Sequence, residues 1–181
     1  MPKYDLEAVW EEHCRYEFET RDVDATMATM VDAPYVNHIP TMTGGVGHDQ
    51  LKRFYKYHFI GANPPDTNLV PVGRTVGTDS LVDEMRFSFT HTSEIDWMLP
   101  GVPPTGRKVE VPLVAIVQFR DGKLGHEHIY WDQGSVLVQI DLLDPGNLPV
   151  AGVAEARKMA DKTLPSNMLM PNWSKSEGKP I

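Results

Sequence analysis

Val109-Glu-Val-Pro-Leu-Val-Ala-Ile-Val-Gln-Phe-Arg-Asp121-Gly122-Lys-Leu-Gly-His-Glu-His-Ile-Tyr-Trp-Asp132 is the stretch on which the fold turns. Two runs of strand character flank Asp121-Gly122, and Asp-Gly between alternating apolar residues is a strong hairpin signal. A two-residue turn fixes the pairing on both sides of it. With Arg120 opposite Lys123, Phe119 pairs with Leu124, Val117 with His126, Ala115 with His128, Leu113 with Tyr130 and Val111 with Asp132. Opposed residues point to the same side of a sheet. This register therefore places His126, His128, Tyr130 and Asp132 on one face with an unbroken apolar row. Ile129 and Trp131 join Val114 and Ile116 on the other face.

Polar side chains on an apolar face need a reason, because burying each unpaired costs about 1–3 kcal/mol. The reading that accounts for the set is a polar-lined pocket. Each member also has a local explanation. Asp132 directly precedes an apolar helix at Ser135, where it can serve as an N-cap. His126 can be satisfied by local hydrogen bonds, and His38 stands alone between apolar neighbours.

Upstream of the hairpin the period is helical. Leu6, Val9, Trp10, Cys14 and Phe18 share a helix face, and Asp22 can cap a second helix bearing Val23, Met27, Met30 and Val31. Pro34–Pro40 reads as a short edge strand or extended segment, and Gly44-Gly45 as a break. A third helix carries Leu51, Phe54, Tyr55, His58 and Phe59. From about residue 67 the period becomes 2. Leu81, Met85, Phe87, Phe89 and His91 lie on one face, with Asp83 as the exception among them. His91 ends that face beside a Pro/Gly-rich loop at residues 99–106. Helices first and antiparallel strands afterwards make an α+β domain over residues 1–143. A sheet curved around helices leaves a cone with room for a ligand. Residues 144–181 read as an extension docked on the domain or on a partner subunit, because Met168, Leu169, Met170 and Trp173 are too apolar for a free tail.

The 181 residues suit one domain with a sizeable core. Seventeen Lys and Arg against 25 Asp and Glu give a net charge of -8, which argues against nucleic acid and anionic membranes as partners. One cysteine, Cys14, excludes an internal disulfide framework and a Cys-rich zinc site. His126-Glu127-His128 has the alternation that can present two imidazoles to a metal, but no further dense ligand set accompanies it, so no metal is expected. There is no phosphate-binding Gly-rich loop and no Gly-x-Ser-x-Gly elbow. Apolar runs are too short for a membrane span, and Met1–Asp5 lacks a signal-peptide core, which makes the cytoplasm the expected location.

Several segments together resemble the SnoaL-like polyketide cyclase branch of the NTF2-like superfamily. Phe89-Thr-His91-Thr92 followed by Pro103-Pro-Thr-Gly106-Arg-Lys-Val109 is similar to that family's "THxG … ppTGr.v" segment. Gly122-Lys-Leu124 through Asp132, then Leu137-Val-Gln139-Ile140, is similar to its "GKI.E.W….D…LL.QLG" ending. Tyr35-Val-Asn-His38-Ile-Pro40 stands where the family has a strand entering the pocket. His126-Glu127-His128 departs from the usual Glu-His-Trp, and Asp141 stands where Gly is common. The resemblance covers residues 5–143. It implies a cone-shaped α+β barrel, a homodimer packed through the sheet on residues such as Ile129 and Trp131, and cofactor-independent proton transfer next to a carbonyl. It puts the acid/base aspartate on Asp132.

The resulting expectation is an enzyme of cyclase, isomerase or dehydratase type acting on an apolar carbonyl compound. Hydrolysis of an epoxide or lactone, or ligand binding alone, are the alternatives. Asp132, His38 and His91 are the catalytic candidates. Tyr35, Phe54, His126, His128 and Tyr130 are the substrate-contact candidates, and no cofactor is expected. Alternate residues on a strand are about 7 Å apart, so His128 cannot reach Asp132 along its own strand. A direct histidine partner must come from elsewhere, and the resemblance and the alternation pattern leave His38 and His91.

Overall fold

Asp5 accepts the Ala8 N–H and opens α1, Leu6–Phe18; Asp22 does the same for α2, Val23–Ala28, through Ala25. The computed structural model describes residues 4–181, so the expectation about a leader at Met1–Lys3 lies outside the described residues. The chain continues through β1 (Met30–His38), β2 (Thr43–Val46) and α3 (His48–Phe54), then one π-helical turn, Tyr55–Phe59. The long strands follow: β3 (Asn68–Val76), β4 (Ser80–Thr90), β5 (Lys108–Arg120) and β6 (Lys123–Tyr130), before α4 (Gln133–Gln139) and α5 (Ala154–Ala160).

The strands form one six-stranded, unclosed sheet in the order β2-β1-β6-β5-β4-β3. All neighbours are antiparallel except β1 and β6, which run parallel. The segment expected at an edge is therefore interior: β1 lies between β2 and β6 and begins at Met30, four residues before Pro34. Met30 thereby leaves the helix face expected for it and is buried in the strand. Gly44 and Gly45 form part of β2. A Cβ on Gly44 would lie 2.0 Å from the Val36 carbonyl oxygen, so only glycine lets the two strands approach.

The hairpin register corrects the sequence reading. Arg120 pairs with Lys123 and Phe119 with Leu124, as the turn dictates; then Gly125 is passed over and Gln118 pairs with His126. Beyond this bulge Val117 faces Glu127, Ile116 faces His128, Ala115 faces Ile129 and Val114 faces Tyr130. One extra residue flips every later side chain to the opposite face. Glu127, Ile129 and Trp131 turn into the core at 3, 6 and 8% exposure, whereas His126, His128 and Tyr130 turn outward. Burying Ile129 and Trp131 rather than two histidines and a tyrosine is the favourable exchange. Ile129 and Trp131 are thus core residues and not an outer contact surface.

The concave face, β4 Met85 and Phe87, β5 Leu113 and Ala115, β1 Val36 and His38 and β6 Ile129, packs on Trp10 of α1, Tyr55, Phe59 and Trp97. In the extension, α5 packs on β5 and Ala156 is fully buried. Beyond it, Met168, Leu169, Met170 and Trp173 are more than half exposed. Among the described residues, no helix is long and apolar enough to cross a membrane.

Candidate active site

The interior of the cone is apolar apart from a few groups, and those groups meet. On α1, His13 and Glu17 are one turn apart and both buried, continuing the stripe begun by Leu6 and Trp10. His13 Nε2 lies 3.1 Å from Glu17 Oε1 and 3.3 Å from Glu127 Oε1 on β6. The Tyr55 hydroxyl donates to Glu127 Oε1 at 3.5 Å. Tyr55 opens the π-helical turn, whose Ile60 N–H reaches back five residues to the Tyr55 carbonyl at 2.9 Å. Such turns recur at functional sites.

Proton positions follow from the partners. The Thr29 hydroxyl donates to the Thr26 carbonyl at 2.6 Å, so its oxygen accepts from His13 Nδ1–H, also at 2.6 Å. A bare Nε2 lone pair facing two carboxyl oxygens would be repelled, so Nε2 carries a proton as well. Burial opposes this charge, but Glu17 and Glu127 outweigh it and push His13 up to about 10. The Nε2–H makes no well-aligned hydrogen bond to either carboxylate. Burial raises the Glu17 carboxyl above its ordinary value, against the pull of His13.

Glu17, Glu127, Tyr55 and His38 supply the polar part of a cavity otherwise walled by Trp10, Phe59, Met85, Phe87 and Trp97, among other apolar side chains. Its volume open to the centres of water-sized molecules is only about 30 Å³. That is room for a water or two as the chain stands. His38 donates from Nδ1 to the Thr43 carbonyl at 3.2 Å, leaving Nε2 as an acceptor. Its ring lies 4.8 Å from Trp97 and 5.4 Å from Phe59, and burial lowers its pKa to about 4. It is a neutral imidazole at physiological pH.

The other sequence candidates are dispersed. His91 is fully buried at the end of β4, where its Nδ1 accepts the Thr105 N–H at 3.3 Å and pins the Pro/Gly loop; its Nε2 has no partner. Asp132 is exposed at the start of α4, accepting from Gly134 N at 2.9 Å and the Ser135 hydroxyl at 2.7 Å, the geometry of a helix cap. Tyr35, His126 and His128 cluster on the outer face, with Tyr35 5.5 Å from His128 and the two imidazoles 5.0 Å apart. Tyr130 is beside them, 39% exposed. Phe54 is buried against His38 at 5.6 Å. Only His38 and Phe54 of these candidates border the interior. Among the described residues, no three or more His, Cys, Asp or Glu side chains have the geometry of a metal cage.

The residues that the sequence reading missed are His13, Glu17 and Glu127. A signal existed for each. His13 and Glu17 fall three and seven positions after Trp10, inside the buried stripe. Glu127 follows Gly125, and a lone glycine in a strand pattern marks a bulge.

A profile of the SnoaL-like domain matches residues 10–126, about two thirds of the chain. This chain belongs to the SnoaL-like family. The match takes in His13, Glu17, His38 and Tyr55 and stops one residue before Glu127. Solved structures agree on the fold. A putative polyketide cyclase from Acidithiobacillus ferrooxidans is similar at TM-score 0.61 and 18% identity, over 78% of this chain and 97% of that one. A putative SnoaL-like polyketide cyclase from Jannaschia sp. CCS1 gives 0.57 and 22%, over 80 and 99%. The epoxide hydrolase/cyclase-like enzyme SalBIII, with a role in pyran ring formation in polyether salinomycin, gives 0.53 and 16%, over 70 and 90%. At these identities the likeness is one of fold, and the SnoaL-like cone hosts more than one chemistry. Among curated proteins none matches this sequence.

Proposed function

We propose that this SnoaL-like protein is a cytoplasmic enzyme that moves protons at carbon next to a carbonyl group in an apolar small molecule, with Glu127 as base and Glu17 as acid. The supporting observation is the meeting of two carboxyl groups with one imidazole, at 3.1 and 3.3 Å, on the wall of an apolar cavity. Buried ionic clusters are weak stabilisers compared with apolar packing of the same volume. Titratable groups with displaced pKa values beside a cavity mark functional sites instead.

The Glu127 carboxylate takes the proton from the carbon next to the carbonyl, and the electron pair moves to the carbonyl oxygen. Burial favours the acid form of Glu17, and in that form it donates to that oxygen as its charge develops. Attack of the enol carbon on a second carbonyl of the same molecule closes a ring, the enol proton returning to Glu17 and the Glu127 proton passing to the new alkoxide. Return of the Glu127 proton to a different carbon of a conjugated enol, with the enol proton again going back to Glu17, completes an isomerisation. Protonated His13 and the Tyr55 hydroxyl hold Glu127 in place. His38 offers Nε2 as a fixed acceptor to a substrate hydroxyl. None of these steps calls for a cofactor. In this reading Asp132 serves α4 as its cap and His91 serves the loop.

Hydrolysis is the second reading, and the water-sized room beside Glu127 favours it: the same carboxylate could activate a water against an epoxide or lactone. For the expected homodimer, the outer sheet face carrying Ile116, Tyr130 and Val82, each 38–39% exposed, replaces Ile129 and Trp131 as the contact.

Turnover of a panel of enolisable diketones, epoxides and lactones, compared among wild type, Glu127→Gln and Asp132→Asn, tests the assignment. Glu127→Gln should lower the rate at least about a hundredfold while Asp132→Asn stays near wild type. The reverse order overturns it.

A further inference from the structure

A groove outside the cone is far roomier than the interior. It runs between α1 and strands β3 and β4, and water-sized centres can occupy about 350 Å³ of it, against about 30 Å³ in the cavity beside Glu127. The first volume is that of a small-molecule pocket; the second holds a water or two as the chain stands, so most of a substrate must lie outside it. The two spaces abut across shared walls: Cys14, Phe18, Leu69 and Met85 line both. Phe18 is one residue beyond Glu17 on α1, so this apolar throat abuts the acid.

The groove's charges are internally spent. Arg74 gives Nε and Nη2 to Asp83 at 3.2 and 2.9 Å, and Nη1 to Glu11 at 3.0 Å. Arg15 lies over the Tyr16 ring at 4.6 Å with Glu12 beside it. Glu11, Glu19 and Asp83 against Arg15 and Arg74 leave the groove one negative charge in excess. One group remains unmet: the Thr67 hydroxyl oxygen, on the wall, has no hydrogen-bond partner and meets a ligand only after rotating about χ1.

We infer that this groove is the entrance and outer subsite for an elongated, uncharged substrate, whose apolar end passes Phe18, Leu69 and Met85 toward Glu17 and whose hydroxylated end stays at Thr67. This rests on the acid/base reading for which end reacts, but binding in the groove can be measured apart from turnover. An anionic tail is disfavoured because no uncommitted cation faces it and the excess charge repels it. An apolar ring at the throat replaces water on Phe18, Leu69 and Met85.

The probes are 2-(2-naphthyloxy)ethanol and its anionic counterpart 2-naphthyloxyacetate, titrated by isothermal calorimetry against wild type, Leu69→Trp, Leu69→Ala, Thr67→Val and Glu127→Gln. The alcohol should bind wild type at least about tenfold more tightly than the acetate. Leu69→Trp, which fills the throat, should weaken the alcohol by about tenfold or more. If that variant does not fold, Leu69→Ala carries the test through a changed affinity for the ring. Thr67→Val should cost about three- to tenfold. Glu127→Gln should bind as wild type does, so loss of the acid/base reading is registered by turnover alone. Equal or tighter binding of the acetate, or no binding of the alcohol, overturns the inference; so does indifference to every change at Leu69 and Thr67.

Discussion

His13 on α1 stands 3.3 Å from Glu127 on β6, and this one contact carries a cation across the cone from helix to sheet. It exists because Gly125 adds a residue to β6 and turns Glu127 inward. Removing the imidazole would leave two carboxyl groups buried beside each other. His13→Leu should therefore destabilise the fold by about 3–5 kcal/mol, and Glu17→Gln in the same chain should restore part of that loss. Urea unfolding of the single and double variants measures both.

Two of the buried histidines, His13 and His38, set opposite limbs of the pH profile. His13 is raised from 6.5 to about 10, so its contribution is fully present below pH 6.5 and is lost as pH rises through about 10. His38 is lowered from 6.5 to about 4, so the advantage of its neutral form is present above pH 6.5 and is lost as pH falls through about 4. Melting temperature against pH should show a plateau near neutrality with both flanks falling. His38→Gln should flatten the acid flank and leave the alkaline one; a profile unchanged by that substitution would count against neutral His38.

How legible was this in the sequence? The apolar stripe of α1, the helix cap Asp22, the Asp121-Gly122 turn and the alternation in β4 rest on local chemistry, and they placed the helices and most of the sheet. The bulge at Gly125 is also local, yet counting outward from the turn passed over it, and a one-residue slip exchanges the two faces of a strand. His126, His128 and Tyr130 were consequently assigned to a pocket they do not line. The placement of β1 beside β6 was out of reach for a different reason. It is a parallel pairing between segments about ninety residues apart, fixed by the whole packing and by no turn. The meeting of His13 with Glu127 depends on both.

Asp132 gives a separate test of local structure. Asp132→Ala removes the acceptor for Gly134 N and Ser135 and should cost about 0.5–2 kcal/mol, whereas Asp132→Asn should cost less. Thermal unfolding distinguishes them. Equal stability of Asp132→Ala and wild type would contradict the capping role.

In the extension, burial raises the half-buried Glu155 from 4.5 to about 7, with the Asp132 charge adding to the effect. Its folded state favours the protonated form, so the stabilisation is full below pH 4.5 and is lost as pH rises through about 7. Proteolysis in the segment around α5 should accelerate from pH 5 to pH 8, and Glu155→Gln should remove that acceleration. The same acceleration in the variant would assign it to another group.

The central claim, that Glu127 and Glu17 exchange protons with a carbon acid, is tested most directly by deuterium incorporation into 2-tetralone in D₂O, followed by proton NMR. Wild type should catalyse exchange next to the carbonyl well above the buffer rate, and Glu127→Gln should lower the catalysed rate at least about a hundredfold at a temperature where the variant is still folded. Exchange at the wild-type rate in well-folded Glu127→Gln would contradict the account.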